Sequence, residues 1–242
     1  MSGTPVKTAF ILGAGLGVRL RPLTDTTPKP LLPLGGRPII TYAMEHLLTV
    51  GVERFIVNTH HLADVYLQVF PEEKWRGTPV MFRYEPNLLD TAGGLKNIED
   101  LLEGDEDILI YNGDVISDLP LHRLLAAHHA AGKEVTLALR SSGFPLHVCL
   151  NELDEVCDFR NALNRKGKNR LFTGIYVVQK KLLDRLTRGR RESVIAVFLD
   201  MIKEIPGSVA GVVIDEGSWY DVGSLPEYER VRELMRKDGA GA

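Results

Sequence analysis

The stretch Thr8-Ala9-Phe10-Ile11-Leu12, followed by Gly13-Ala14-Gly15-Leu16-Gly17-Val18-Arg19-Leu20-Arg21-Pro22-Leu23-Thr24, decides how the rest of the chain is read. The apolar run reads as a strand buried on both faces, as in the middle of a parallel sheet. Glycines at 13, 15 and 17 let backbone N–H groups approach an anion closely and form a nest for phosphates. A dinucleotide fingerprint would need G-x-G-x-x-G opening a helix, with an acid about 20 residues on. Here position 18 is Val, Pro22 interrupts the helix, and Lys29 stands where that acid would be. No Gly-Lys-Ser/Thr follows, so the loop is not a Walker A motif either.

Cations stand beside these glycines. Arg19 lies two residues beyond Gly17, and Lys29 sits in Thr27-Pro28-Lys29-Pro30. Two flanking prolines fix the lysine backbone at low entropic cost. A guanidinium and an ammonium on one Gly-rich loop suit a triphosphate whose leaving group must be neutralised.

Outward from this loop, β-rich runs alternate with amphipathic stretches, which predicts an α/β fold with a mainly parallel sheet. Strands are expected at Arg54–Asn58, Val80–Tyr84, Asp107–Tyr111, Glu134–Leu139 and Val209–Ile214. Helices are expected at Ile39–Val50, Leu62–Phe70, Gly93–Leu102, Leu119–Ala131, Lys180–Leu186, Glu192–Lys203 and Pro226–Lys237, with a frayed GAGA tail. From Ser141 the segments HVCLNE, EVCDFR and FTGIYVV suggest hairpins on the far side of the sheet, and Gly217–Gly223 a strand running into a turn. No repeat or low-complexity linker divides the chain.

Composition sets the outer limits. The 242 residues are 44% apolar and 25% charged, with 23 Gly and 13 Pro, as in an ordinary globular protein. A formal net charge of −3, from 29 basic and 32 acidic residues, offers no polyelectrolyte footprint for nucleic acid. Any phosphate must be gripped locally. Cys149 and Cys157 are too few for a disulfide framework and read as reduced structural thiols. The apolar patch Ala9–Leu12 is far shorter than a signal-peptide core, and no run approaches the roughly 20 residues that span a bilayer. A cytoplasmic protein with no membrane partner is expected.

The run GAGLGVRLRPLTDTTPKPLLPLGGRPII resembles the signature loop of the sugar-1-phosphate nucleotidylyltransferases, the nucleotide-diphospho-sugar pyrophosphorylases. Glycine loop, Arg, Pro-Leu-Thr and Pro-Lys-Pro occur in the family order at tight spacing, and the likeness extends over residues 7–228. Ala14 and Val18 stand where many relatives carry Gly and Thr. Asn112-Gly113-Asp114, at the end of an expected strand, resembles the family's metal-binding aspartate motif, and Asp221 in Trp219-Tyr220-Asp221-Val222-Gly223 the second metal aspartate. Glu85-Pro86 through Thr91-Ala92-Gly93-Gly94 matches the loop that the family uses for the nucleobase. Phe172-Thr173-Gly174-Ile175-Tyr176 resembles the segment near the sugar ring. The Glu-Lys-Pro motif of many members is missing; Asp158-Phe159-Arg160, Lys166 and Lys168 occupy that region, and His147 replaces a frequent Gly.

The resemblance implies the nucleotide-diphospho-sugar transferase fold, a Rossmann-like mixed sheet flanked by helices in a single domain. That domain spans 1–228, with a nucleotide-binding half to about 118, a sugar-binding half from about 119, and a C-terminal helix and tail over 229–242. It implies transfer of a nucleotidyl group from an NTP to a sugar 1-phosphate by a monomer or small homo-oligomer. Arg19, Lys29, Asp114 and Asp221 would be catalytic, with Mg²⁺ on Asp114 and Asp221. Leu12, Gly13, Ala14, Gly15, Gly17, Glu85, Thr91, Ala92, Gly93 and Asn112 would join Arg19 and Lys29 around the nucleotide; Thr173 and Gly174 would join the two aspartates around the sugar. Among short members the sequence is similar to the mannose-1-phosphate guanylyltransferase and N-acetylmuramate-1-phosphate uridylyltransferase branches, leaving GTP or UTP as donor. Cytidylyl transfer to a non-sugar phosphate or phosphonate, and a non-catalytic nucleotide-sugar sensor, are the alternative readings. His60-His61 and His128-His129 are expected to be bland, because adjacent residues do not face one site. Arg188-Gly189-Arg190-Arg191 reads as a solvated run.

Overall fold

A computed structural model describes residues 6–104 and 106–239, so the expected tail beyond Gly239 lies outside the described residues. In chain order the elements are β1 (Thr8–Leu12), β2 (Pro33–Leu34), β3 (Arg37–Pro38), α1 (Ile40–Leu48), β4 (Arg54–Thr59), α2 (Ala63–Val69), β5 (Lys74–Trp75) and β6 (Thr78–Tyr84). Next come α3 (Asp90–Asn97), β7 (Asp107–Asn112), β8 (Val115–Ser117), α4 (Leu121–Ala131), β9 (Val135–Arg140), β10 (Val148–Leu150) and β11 (Val156–Phe159). The last are β12 (Lys168–Gln179), α5 (Val194–Glu204), β13 (Val209–Val213), β14 (Trp219–Asp221) and α6 (Leu225–Gly239).

β1 lies in the middle of a ten-stranded sheet of order β11-β10-β12-β7-β1-β4-β6-β5, in which β9 also pairs with β12 and β13 with β9. It runs parallel to both β4 and β7. Its alternate side chains feed two cores, as a strand buried on both faces must. Phe10 packs with Leu95, Phe198 and Ile202 under α3 and α5. Ala9 and Ile11 pack with Ala43, Met44 and Leu47 of α1 and with Tyr66 of α2. A third cluster joins Leu20, Leu32 and Leu34 to Ile116, Val222, Tyr228 and Val231, fastening the loop after β1 to β8 and α6.

The mixed, mainly parallel sheet agrees with the sequence reading, and several details differ. The segments after Ser141 form antiparallel pairs as expected, β10 with β11 and with β12, at one end of the main sheet. β12 pairs antiparallel with β7, and its first residues run past the end of β7 to carry β10. The helix expected at Gly93–Leu102 starts at Asp90 and gives way to a 3₁₀ turn at Glu99–Leu101, and Lys180–Arg185 is likewise 3₁₀. The last helix, Leu225–Gly239, agrees with the expected Pro226–Lys237 and buries Tyr228 and Val231.

Two buried polar groups brace this frame. Asn58, near the end of β4, accepts the Gly13 N–H at 2.8 Å and donates to Glu85 Oε1 at 2.7 Å. The Leu89 N–H donates to Glu85 Oε2 at 3.0 Å. Burial pushes the Glu85 carboxyl upward, and these two donors pull the other way. On the opposite side of the sheet, His46 of α1 touches the Tyr111 hydroxyl at 3.0 Å through Nδ1 and the Leu119 carbonyl at 2.7 Å through Nε2.

Replacing Asn58 with Leu strands the Gly13 N–H and the Glu85 carboxylate, and should cost about 2–4 kcal/mol in urea denaturation. Burial holds the His46 imidazole below its usual range, against the pull of the Leu119 carbonyl and Asp118. The unfolded chain then binds this proton before the folded one does. Stability is expected to fall as pH drops below about 6.5, by at most about 1.4 kcal/mol per pH unit from this group. Denaturation midpoints of wild type and His46→Gln between pH 5 and pH 8 should show that slope only in the wild type.

Candidate active site

Leu12 and Asn112 end β1 and β7 and Asn58 precedes the last residue of β4, all in one register row, with Leu12 pairing with both asparagines. That row is the carboxyl edge of the sheet, where open α/β folds bind ligands. A cavity of about 320 Å³ opens above it. One wall is the loop Gly13–Gly15 with Lys29 and Pro30; the other is Glu85, Leu88, Asp90 and Thr91; Arg191 also lines it. Gly13 is needed because a Cβ there would lie 2.7 Å from the Asn58 carbonyl.

Beside the cavity, four charged side chains converge. β14 pairs antiparallel with β8, setting Asp221 opposite Val115, and the Val222 N–H donates to the Asp114 carbonyl at 2.9 Å. Two aspartates remote in the sequence thus become neighbours. Lys29, on a 3₁₀ turn at Lys29–Leu31, forms an ion pair with Asp114. Arg19 comes from the turn Val18–Leu20. A Cβ on Gly223 would lie 2.6 Å from Asp221 Oδ1 and 2.8 Å from Arg19 Nη2, so both charged groups close on this residue. Surrounding protein and then the Asp114 charge push the Asp221 carboxyl upward; Lys29, Arg19 and the Gly223 N–H oppose them. A carboxylate pair with cations already alongside is suited to phosphate chemistry, in which negative charge is handed among oxygens.

Of the residues singled out from the sequence, Leu12, Gly13, Ala14, Gly15, Lys29, Glu85, Thr91, Asn112 and Asp114 line the cavity. Arg19 and Asp221 adjoin it through Asp114 and Lys29. Gly17 stays outside and turns the loop at φ +63°, with the Thr24 hydroxyl donating to its carbonyl at 2.8 Å. The nest is smaller than expected, because the Gly13 N–H is taken up by Asn58. Ala92 and Gly93 also sit outside: their N–H groups donate to the Glu192 carbonyl at 2.9 and 3.2 Å. A Cβ on Gly93 would come within 2.3 Å of the Arg190 carbonyl. These two residues therefore receive the 189–193 loop, and their backbone donors are not open to a base edge. The Thr173 hydroxyl is buried and donates to the Ala138 carbonyl at 2.8 Å, and Gly174 packs on the Asn112 side chain. Gly174 thus supports Asn112, and the Thr173 hydroxyl is spent inside the sheet.

Asn58, Leu88, Asp90 and Arg191 are cavity residues that the sequence reading did not select. Leu88 and Asp90 fall within the Glu85–Gly94 segment. Asn58 stands one residue from the end of β4, the strand beside β1. Arg191 belongs to the basic run Arg188–Arg191 that reads as solvated from the sequence, whereas it lines the cavity. His60 and His61 turn to different partners, the Glu85 and Thr24 carbonyls. His128 and His129 depart from expectation, since both rings reach Asp107, at 3.5 and 3.8 Å, where β7 starts beside the last turn of α4. No group of three or more His, Cys, Asp or Glu side chains placed to hold a metal occurs among the described residues. Cys149 and Cys157 are free and buried, and burial pushes the Cys157 thiol up to about 12. No helix among the described residues is long and apolar enough to cross a membrane.

Comparison with known proteins matches this architecture. The mannose-1-phosphate guanylyltransferase of Mycobacterium tuberculosis is 31% identical over 226 residues, covering 92% of this chain and 62% of that protein. A UTP–glucose-1-phosphate uridylyltransferase of Synechocystis is 24% identical over 259 residues, covering 95% of this chain and 64% of that protein. The chain thus spans less than two thirds of the length of these curated relatives. The solved structure of the inositol-1-phosphate CTP transferase from T. maritima shares the fold, with a TM-score of 0.77, 20% identity and coverage of 97% of this chain and 96% of that one. A sequence model of the family described as Nucleotidyl transferase matches residues 8–238, nearly the whole chain, and the protein belongs to that family.

Proposed function

We propose that this protein transfers a nucleotidyl group from GTP or UTP to a hexose-type or N-acetylmuramate 1-phosphate, releasing pyrophosphate. The observation that carries the reading is the convergence of Arg19, Lys29, Asp114 and Asp221 beside a glycine-loop cavity at the carboxyl edge of the sheet. A phosphate oxygen of the acceptor attacks the α-phosphorus; the new P–O bond forms as the bond to the bridging α–β oxygen breaks. The attacking oxygen is already anionic, so the chain needs no strong general base, and its task is positioning and charge neutralisation.

The residues divide that task. The Ala14 and Gly15 N–H groups have no protein partners among the described residues, and both residues line the cavity where the triphosphate would lie. Arg19 would hold the β- and γ-phosphates. Lys29, held in place by its pairing with Asp114, would serve the α-phosphate and the bridging oxygen. Asp114 and Asp221 fit a Mg²⁺ ion, which takes one or two carboxylates and fills its remaining positions with water and phosphate oxygens. Bound there, the ion would supply charge neutralisation at the reacting phosphates. The relatives named above, one a guanylyltransferase and one a uridylyltransferase, support sugar-phosphate nucleotidyl transfer.

Lys29→Ala and Asp114→Ala should each lower turnover by about 10²–10³ while keeping a wild-type circular dichroism spectrum. Pyrophosphate release across four NTPs and a panel of sugar 1-phosphates tests the reading directly. Turnover with GTP or UTP and a sugar 1-phosphate is expected. Turnover only with CTP and a non-sugar phosphate would replace the acceptor class, and no turnover with any pair would leave a nucleotide-sugar sensor.

A further inference from the structure

Asp90 and Arg191 line the cavity and have no part in the chemistry above. Asp90 adopts φ +62°, a left-handed conformation that costs a non-glycine residue energy and collects at ligand-binding positions. Its Oδ1 accepts the Thr91 N–H at 2.7 Å, which fixes the carboxylate and leaves Oδ2 open. Arg191 has no ion pair or side-chain hydrogen bond among the described residues, whereas Arg188 pairs with Asp100 and Arg190 with Glu192.

The two residues belong to one braced unit. The Glu192 N–H donates to the Leu89 carbonyl at 2.9 Å, and the Glu192 carbonyl accepts from Ala92 and Gly93. The Val194 N–H donates to the Thr91 hydroxyl at 2.8 Å. A carboxylate and a guanidinium are thereby presented to the same cavity without neutralising each other.

The Lys29 end of the cavity is its phosphate end, and a carboxylate would repel a triphosphate there. Asp90 belongs to the Leu88–Thr91 wall, so its counterpart is the part of the nucleotide that offers hydrogen-bond donors. Uracil presents one N–H between two carbonyls, both of which a carboxylate repels. Adenine and cytosine each offer one amino group beside ring acceptors. Guanine alone sets two donors side by side, N1–H and the N2 amine, with the acceptors O6 and N7 next to them.

We propose that Asp90 and Arg191 read the donor's base and select a guanine nucleotide, Asp90 accepting from N1–H and the N2 amine and Arg191 donating to O6 and N7. This rests on the nucleotidyl-transfer reading for the placement of the nucleotide, and it makes GTP the donor.

Titration calorimetry on the full chain with GTP, ITP and UTP tests it, since ITP lacks only the N2 amine. Wild type should bind GTP at least about tenfold more tightly than ITP. Asp90→Gly suits the left-handed backbone and should bring the GTP-to-ITP ratio to within about twofold of one. Arg191→Met should weaken GTP and ITP together by about tenfold and shift UTP much less, because hypoxanthine keeps O6 and N7. An unchanged ratio in Asp90→Gly overturns the proposal, as does tighter binding of UTP than GTP by wild type. Loss of discrimination against 2′-deoxy-GTP in place of ITP would assign Asp90 to the ribose, and equal weakening of UTP by Arg191→Met would assign Arg191 to the phosphates; either overturns it. The GTP preference with no pyrophosphate release for any acceptor would sink the transferase reading and leave base selection standing. Binding of none of the three nucleotides would overturn both.

Discussion

Asp114 and Asp221 stand side by side because β14 lies antiparallel on β8, and like charges at that spacing are tolerated only with cations close by. Lys29 and Arg19 provide those cations from the loop that leaves β1. The loop reaches that position because Leu20, Leu32 and Leu34 are packed into the cluster that also holds Ile116 and Val222. Apolar burial therefore places the charges, and the charges in turn fasten the loop over the sheet edge. A substrate phosphate entering this group meets fields that are already oriented, which is where electrostatic catalysis obtains its advantage.

Behind the loop, polar side chains set the cavity floor. Asn58 joins the Gly13 N–H to the Glu85 carboxylate, and a Cβ on Gly94 would lie 2.8 Å from Asn58 Nδ2 and 2.9 Å from Glu85 Oε1. The glycine loop, β4 and α3 thus meet at a single side chain. Small residues at 93 and 94 serve this packing and the approach of the 189–193 loop. A TAGG sequence that could pass for open contact surface is largely a closed joint.

Glu192 closes the joint from the other direction, tying the lead-in to α5 onto the start of α3. Segments about a hundred residues apart in the chain become one wall, and Arg191 is carried to the cavity as a consequence. An arginine in a basic run is ordinarily a solvated surface group; here the backbone bonds of the adjoining Glu192 bring it to the cavity.

The sequence by itself determined the central strand, the glycine loop and the order of the charged residues. Thr8–Leu12 is apolar without alternation, Pro28 and Pro30 bracket Lys29, and Asn112-Gly113-Asp114 follows an apolar run that reads as a strand. Those features are local, and pattern and stereochemistry express local constraints directly. Tertiary structure alone decided which backbone donors remain open. It gave the Gly13, Ala92 and Gly93 N–H groups to protein acceptors, turned the Thr173 hydroxyl inward, paired Lys29 with Asp114, and brought Asp90 and Arg191 to one cavity. Each outcome depends on a contact between segments far apart in the chain, and hydrophobic period names the face a residue occupies without naming its partner.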